Sequence, residues 1–401
     1  MRQKIWAAGL AAILVLAGCA SNDDTEVRAE ADEAATQSDD HGHSHGDDHG
    51  HSHGDDDGAQ GDAAMGKPAP DFVSGTPVPE MIREGERHFA KMYQLTRGGE
   101  NAEAYFSWDN TQLILQVTDS EAGCDQIYTL PTRGGHRKLV STGKGRTTCS
   151  YFFPGDEKIL YSSTHHHDPN CPPKPDYSRG YVWPIYSSYE IFTANPDGSN
   201  LQQLTDTPGY NAEATIGPDG TIVFTSMRDG DLDIYTMAED GSDVRRLTDT
   251  PGYDGGPFFS PDGSMICYRA HHPAEGPALE EYQALLAEDL IRPGELDIYV
   301  MNRDGSGKKR LTENGAANFG PFFHPSGEKV VFASNLNDDT GRNFDLFMVG
   351  LDGGTPEQIT FEESFDGFPM FSHDGRYLVF ASNRGGQVRG ETNVFLAEWQ
   401  D

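Results

Sequence analysis

The sequence predicts an all-β protein: a six-bladed β-propeller of four-stranded blades, its ring closed by an N-terminal strand that pairs with the C-terminal blade. Three observations predict it. The heptapeptide Leu-Thr-Asp-Thr-Pro-Gly-Tyr occurs at 204–210 and again at 247–253, which sets a unit of 43 residues. Within each unit, short alternating apolar runs are separated by Asp-Gly turns, the signal of antiparallel hairpins. Four strands in about 40–45 residues make a propeller blade. Finally, the marks of the repeat are split between the two ends of the globular chain.

The N-terminus is set apart from this pattern. Arg2 and Lys4 precede an apolar run from Ile5 to Gly18, short for a membrane span and matched to a secretory signal over 1–18. Leu16-Ala17-Gly18-Cys19 resembles the bacterial lipobox. That resemblance implies cleavage before Cys19, lipidation of its thiol and attachment to a membrane. Ala20 after the cysteine implies the outer membrane, with the protein facing the periplasm or the exterior. Residues 19–66 then form an acidic, histidine-rich tether. Its central part, 22–62, holds 14 acidic residues, one arginine and no aromatic residue, too little apolar surface to fold. Two copies of His-Gly-His-Ser-His-Gly-Asp-Asp carry His41, His43, His45, His49, His51 and His53. Such a tract binds Zn²⁺, Ni²⁺ or Cu²⁺ with modest affinity, because its floppy backbone must be ordered around the ion. Residues 67–93 are a lead-in with room for a short helix.

Residues 94–401 hold six copies of each mark. The fourth-strand mark is Leu95-Thr96, Leu139-Val140, Leu204-Thr205, Leu247-Thr248, Leu311-Thr312 and Ile359-Thr360. The globular chain opens on a fourth strand, KMYQLT, and ends on a third, NVFLAEW. One blade is therefore shared between the termini, which hides two sheet edges inside a closed ring. The FSPDG, IYxM, DGS and LT marks resemble the TolB-type propeller repeats of bacterial envelope proteins. The resemblance implies the fold, an envelope location and a protein- or peptide-binding role, with a monomeric propeller. The segment 67–93 is too short for the α/β domain that precedes the propeller in TolB.

The formal net charge of −34 argues against nucleic acid as a partner. Aligned first strands define two rings. One holds Asn101, Thr147, Asn211, Asp254, Asn318 and Asp366; the other holds Glu103, Cys149, Glu213, Gly256, Gly320 and Phe368. Asn101, Glu103, Asn211, Glu213, Asp254, Asn318 and Asp366, with Arg228 and Arg384, are candidate binding residues at the channel mouth. Loops between second and third strands are lengthened in blades two, four, five and six, which places a docking surface on that rim. His165, His166 and His167 begin the blade-two insertion, and His271 and His272 begin that of blade four. With Glu213 and Asp254 they are a candidate site for a divalent ion, Zn²⁺, Ni²⁺, Cu²⁺ or Ca²⁺. A metal-dependent enzyme acting on polysaccharide or peptide is the alternative to a binding module. No nucleophile motif supports catalysis: Gly-His-Ser-His-Gly in the tether lacks the strand and helix of a hydrolase elbow. Aromatic residues Tyr181, Trp183, Tyr186 and Tyr189 follow the blade-two insertion and either contact a ligand or pack the loop. Cys124 and Cys149, in neighbouring blades, are the expected disulfide, with Cys171 as the competing partner and Cys267 a buried free thiol.

Overall fold

The computed structural model describes residues 75–118 and 123–401. Cys19 and the six tether histidines lie outside the described residues. Among those described, no helix is long and apolar enough to cross a membrane.

Six antiparallel sheets follow one another along the chain. Their inner strands are Glu100–Phe106, Thr147–Phe152, Asn211–Ile216, Tyr253–Phe259, Asn318–Phe323 and Asp366–Phe371. Each packs on the next, and the sixth packs on the first, so the ring is closed. The closing sheet runs Thr76–Pro77, Phe89–Gln94, Asn393–Trp399, Tyr377–Ser382, Asp366–Phe371. It contains the expected N-terminal strand and a fifth, two-residue strand outside it. The pairing strand begins at Phe89, inside the segment read as a lead-in, and a 3-10 turn at Pro79–Met81 joins it to the outermost strand.

The Leu-Thr mark has a specific task. In blade three the Thr248 hydroxyl accepts from Ile234 N at 2.9 Å and donates to Asp233 Oδ1 at 3.1 Å. Thr312 does the same for Ile298 N and Asp297, and Thr360 for Leu346 N and Asp345. A threonine satisfies a strand donor and a carboxylate that begins the third strand, both of them costly to leave unpaired. In blade one the residue in this role is Ser141, which accepts from Ile127 N at 3.0 Å and donates to Gln126. The mark there is Val140-Ser141, one residue on from Leu139-Val140. The blades pack through a continuous apolar core that includes Phe106, Phe152, Ile216, Phe323 and Met370.

Candidate functional site

The first ring is built into the blades and does not line an open mouth. Asn101, Thr147, Asn211, Asp254, Asn318 and Asp366 are all fully buried. Asn211 Oδ1 accepts from Ser226 Oγ at 2.8 Å and from Arg228 Nη2 at 3.0 Å, while its amide donates to Thr207 O. Asn318 repeats the bond with Ser334 Oγ at 2.7 Å. Asp366 takes Arg384 Nη2 at 2.6 Å, and Glu86 from the N-terminal segment accepts from the same guanidinium at 3.0 Å. In blades three to six these contacts latch the end of the second strand, or a residue just beyond it, to the start of the first strand, whereas the Asn101 amide donates to Gly98 O and Thr392 O and Thr147 Oγ1 to Asp125 O. Arg228 and Arg384 are parts of the latch. The expected mouth role is corrected for them and for the ring's polar members, which are buried in contacts within the blades, with Asp254 Oδ2 and Asp366 Oδ1 left without a hydrogen-bond partner.

The second ring does face the channel, for a reason in the backbone. All six inner strands break register between their second and fifth residues or nearby. The bulged residue in each has positive φ: Glu103 48°, Cys149 49°, Glu213 54°, Gly256 58°, Gly320 57° and Phe368 54°. Bulges re-aim side chains, and these six positions line one small central cavity of about 30 Å³, room for a water or two. At Gly256 the site needs glycine: an added Cβ would stand 2.4 Å from Arg269 Nη1. Arg269 crosses this space to Glu213, which also accepts from Thr225 Oγ1, Tyr253 Oη and Gly256 N. Glu103 Oε2 is buried without a hydrogen-bond partner, and Arg269 Nε is likewise unpaired. Burial pushes the Glu103 carboxyl up to about 7, against the hydrogen bond from Cys149. Burial also raises the Cys149 thiol well above its ordinary range, so it is no thiolate nucleophile.

The blade-two and blade-four insertions fold onto each other. Trp183–Pro184 and Leu290–Ile291 form a two-stranded antiparallel ladder, extended by Ile185 N donating to Asp289 O at 2.7 Å. The helix Pro277–Leu286 buries Tyr282, Leu285 and Leu286, and Tyr282 Oη donates to Asp231 of blade three at 2.6 Å. Trp183 is buried with its ring 5.5 Å from the Arg269 guanidinium, roofing the central cavity. Burying such an indole contributes on the order of 3 kcal/mol. Tyr189 is buried with it, and Tyr186 donates to Pro173 O at 2.9 Å, so this aromatic cluster packs its own loop. A disulfide ties the roof to blade one, and it joins Cys124 to Cys171, with 5.9 Å between their Cα atoms. The expected Cys124–Cys149 bridge is corrected. The bulge at Cys149 turns its sulfur to the channel, where it meets Thr148 Oγ1 at 3.2 Å, and the inserted loop delivers Cys171 instead. Cys267 is a buried free thiol, as expected.

The candidate metal ligands are not gathered. His165 packs at a tilt against Phe192, 4.5 Å between centroids, and its Nδ1 lies 2.8 Å from Ser163 Oγ. His166 and His167 are exposed. His271 Nδ1 contacts Glu295 O at 2.6 Å, and His272 Nε2 contacts Asp254 Oδ1 at 3.1 Å. His272 occupies in blade four the latch position that Arg228 and Arg384 occupy in theirs. Burial opposes its charge, but the bond to Asp254 and that carboxylate's charge prevail and raise its pKa. Among the described residues no three His, Cys, Asp or Glu side chains form a metal-binding group.

A second cavity on the channel opens at the other mouth, among the turns that join first and second strands. It has a volume of about 270 Å³ and is walled by Trp108, Tyr151, Phe259, Phe322, Phe371 and His373. Three prolines, Pro218, Pro261 and Pro325, complete the rim. Trp108 is fixed by its Nε1, which donates to Phe152 O at 3.0 Å, and by stacking on His373 at 4.4 Å. His373 is an exposed residue whose ring is desolvated where it stacks on Trp108, which lowers its pKa to about 4 and leaves the imidazole neutral. Phe258 meets Tyr105 and Tyr151 edge-on between this cavity and the polar one, and the two tyrosines tilt against each other. Sequence reasoning read these positions as turn punctuation. The signal was present: an aromatic residue directly precedes or opens most of the six turns.

Fold and cavities together define a six-bladed β-propeller of the TolB-like fold, with one mouth roofed by its own insertions and one open. No protein-family model matches the chain, and no curated protein matches it in sequence. Among solved structures, a TolB-type protein from Agrobacterium tumefaciens is similar at 20% identity with a TM-score of 0.50, over 77% of this chain and 97% of that one. TolB from Acinetobacter baumannii is similar at 19% identity, TM-score 0.46, over 75% of this chain and 65% of that one, so the likeness spans just under two thirds of that protein. A gluconolactonase of Xanthomonas campestris is similar at 13% identity, TM-score 0.52, over 83% of this chain and 99% of that one. At these identities the likeness is one of fold.

Proposed function

We propose that this protein is a cell-envelope lipoprotein, held at the outer membrane through Cys19, whose propeller is a protein- or peptide-binding module. The tether gives the ring reach, and the open aromatic mouth is the binding site. The observation that carries this is the cavity of about 270 Å³ beside Trp108, Phe322 and Phe371, at the one mouth the insertions leave uncovered. Concave, aromatic-lined surfaces with few polar groups are where partners dock. Of the long loops read from the sequence as a docking rim, those of blades two and four pair with each other and bury Trp183, Tyr282 and Ile291. A metal-dependent reaction at their base finds no gathered ligands among the described residues.

The test is a selection of displayed random peptides on the full chain, followed by two variants. Phe322→Ala removes a wall of the cavity and is expected to weaken the selected peptides by about tenfold or more, ~1.4 kcal/mol. Glu280→Ala, on the exposed face of the roof helix, is expected to change nothing. The opposite dependence would put the contact on the roof and overturn the proposal.

A further inference from the structure

The open mouth carries information about the charge of its occupant. The six turns around it, residues 107–111, 153–158, 217–221, 260–264, 324–328 and 372–376, hold seven carboxylates and two basic side chains. Of those two, Lys158 is paired with Glu239 and Arg376 lies over the Tyr377 ring at 5.4 Å. Arg303 reaches the rim from outside and pairs with Asp219 at 2.5 Å. Asp109, Asp262 and Asp374 accept only from hydroxyls and backbone N–H groups. Asp109 and Asp374 directly follow, in their turns, the cavity-lining Trp108 and His373, and Asp262 follows Pro261. All three are exposed. Those hydrogen bonds hold Asp262 down to about 2, the Ser260 hydroxyl first, so its charge is permanent in the physiological range.

Size narrows the occupant further. A cavity of about 270 Å³ is just below the range of roughly 300–1,000 Å³ that takes a whole small ligand or cofactor, and it suits one large side chain. The neutral His373 adds no positive charge to the wall. Resting on the reading of this mouth as the binding site, we infer that its partner is a basic peptide segment: one aromatic side chain enters the cavity, and lysine or arginine residues on either side of it meet Asp109, Asp262 and Asp374. The aromatic ring supplies the burial, and the flanking cations supply orientation and encounter rate, since rim charges act mainly on association.

Calorimetric titration of the full chain tests this with three short peptides, Lys-Lys-Trp-Lys-Lys, Glu-Glu-Trp-Glu-Glu and Lys-Lys-Ala-Lys-Lys, at low and at high salt. The first is expected to bind about tenfold or more tightly than either of the others, and to weaken as salt rises. The triple variant Asp109→Asn, Asp262→Asn, Asp374→Asn keeps the turn acceptors and removes the charges. It is expected to lose about tenfold for the lysine-flanked peptide and to flatten its salt dependence. Equal binding of the two tryptophan peptides would overturn the charge assignment and leave the mouth as the site. Equal binding of the tryptophan and alanine peptides would mean that the net charge of −34 alone attracts cations, and would overturn the inference. Failure of both tryptophan peptides to bind would overturn the mouth reading itself.

Discussion

The hydroxyl of Thr96 lies 3.3 Å from Asn393 Oδ1 and accepts the Val394 N–H at 2.8 Å, joining residues almost three hundred positions apart. Inside blade three the same two contacts are made by Thr248 with Asp233 and Ile234, across sequence separations of 15 and 14. The seam of the ring is thus an ordinary blade whose fourth strand arrives from the other end of the chain. A second bond set reinforces it, with Glu86 and Asp366 both holding the buried Arg384.

Thr96→Val keeps the shape and removes the acceptor for a buried backbone N–H. The expected loss is about 1–3 kcal/mol of stability, read by urea unfolding. Because the seam also closes the ring, amide exchange along Phe89–Gln94 should speed up together with that of Val394. Thr248→Val should cost a similar amount and leave exchange at the seam unchanged. Slow exchange at Phe89–Gln94 in the Thr96 variant would show that closure does not depend on this contact.

Glu103 gives the stability a pH dependence opposite to ordinary acid unfolding. Its pKa rises from 4.5 to about 7 on folding, chiefly through burial. The folded chain then binds the proton more tightly than the unfolded one, so stability falls as pH climbs from about 4.5 through about 7. The rise corresponds to roughly 3 kcal/mol at alkaline pH. Glu103→Gln should raise the melting temperature at pH above 7 and leave it nearly unchanged near pH 5. Glu100, Glu190 and Asp345 are also raised to about 7 by burial, so part of the slope remains. A variant less stable than the parent at alkaline pH would contradict this account.

The ring was legible because its rules are local. Period-two apolar runs, Asp-Gly turns and the Leu-Thr mark each report one strand or one bond, and their order along the chain exposes the shared blade. Counting along each second strand also aligns His165, Arg228, His272 and Arg384: the backbone N–H of His165, Arg228 and Arg384 donates to the serine that ends the strand, while His272 reaches Asp254 of the first strand. What could not be counted was contact between insertions. The pairing of Trp183 with Ile291 depends on two loops with no shared repeat. It roofs one mouth and brings Cys171, not Cys149, to Cys124. Nor did strand alternation foresee that a bulge at every second-ring position would aim Glu103 and Glu213 inward while the first ring stayed buried in latches.

Cys171→Ser should loosen the roof without unfolding the ring. The bridge fixes the start of the blade-two insertion to blade one, across a separation of 47 residues. Chain-entropy arguments put such a link at about 2–4 kcal/mol. Limited proteolysis should therefore begin between His165 and Arg179 in the variant and in the reduced parent, while the propeller blades stay resistant. Cys149→Ser, at the channel bulge, should leave the cleavage pattern unchanged. Cleavage that is indifferent to Cys171 would mean that the Trp183–Ile291 ladder alone holds the roof.

Zinc or nickel should bind to the tether and not to the ring. In the ring each candidate imidazole nearest a carboxylate is already committed: His272 to Asp254, His165 to Ser163 and Phe192, His271 to Glu295 O. Recruiting them would break these hydrogen bonds or the His165 contact with Phe192. The six imidazoles at His41, His43, His45, His49, His51 and His53 are spaced by glycine, serine and aspartate, a composition suited to Zn²⁺, Ni²⁺ or Cu²⁺. Deleting 41–56 should abolish the uptake seen by calorimetry with the metal alone and leave peptide binding at the open mouth unaltered. Affinity should also fall as pH drops below about 6.5, where the imidazoles take up protons in competition with the ion. Stoichiometric zinc retained by the shortened chain would restore a metal site at the base of the insertions.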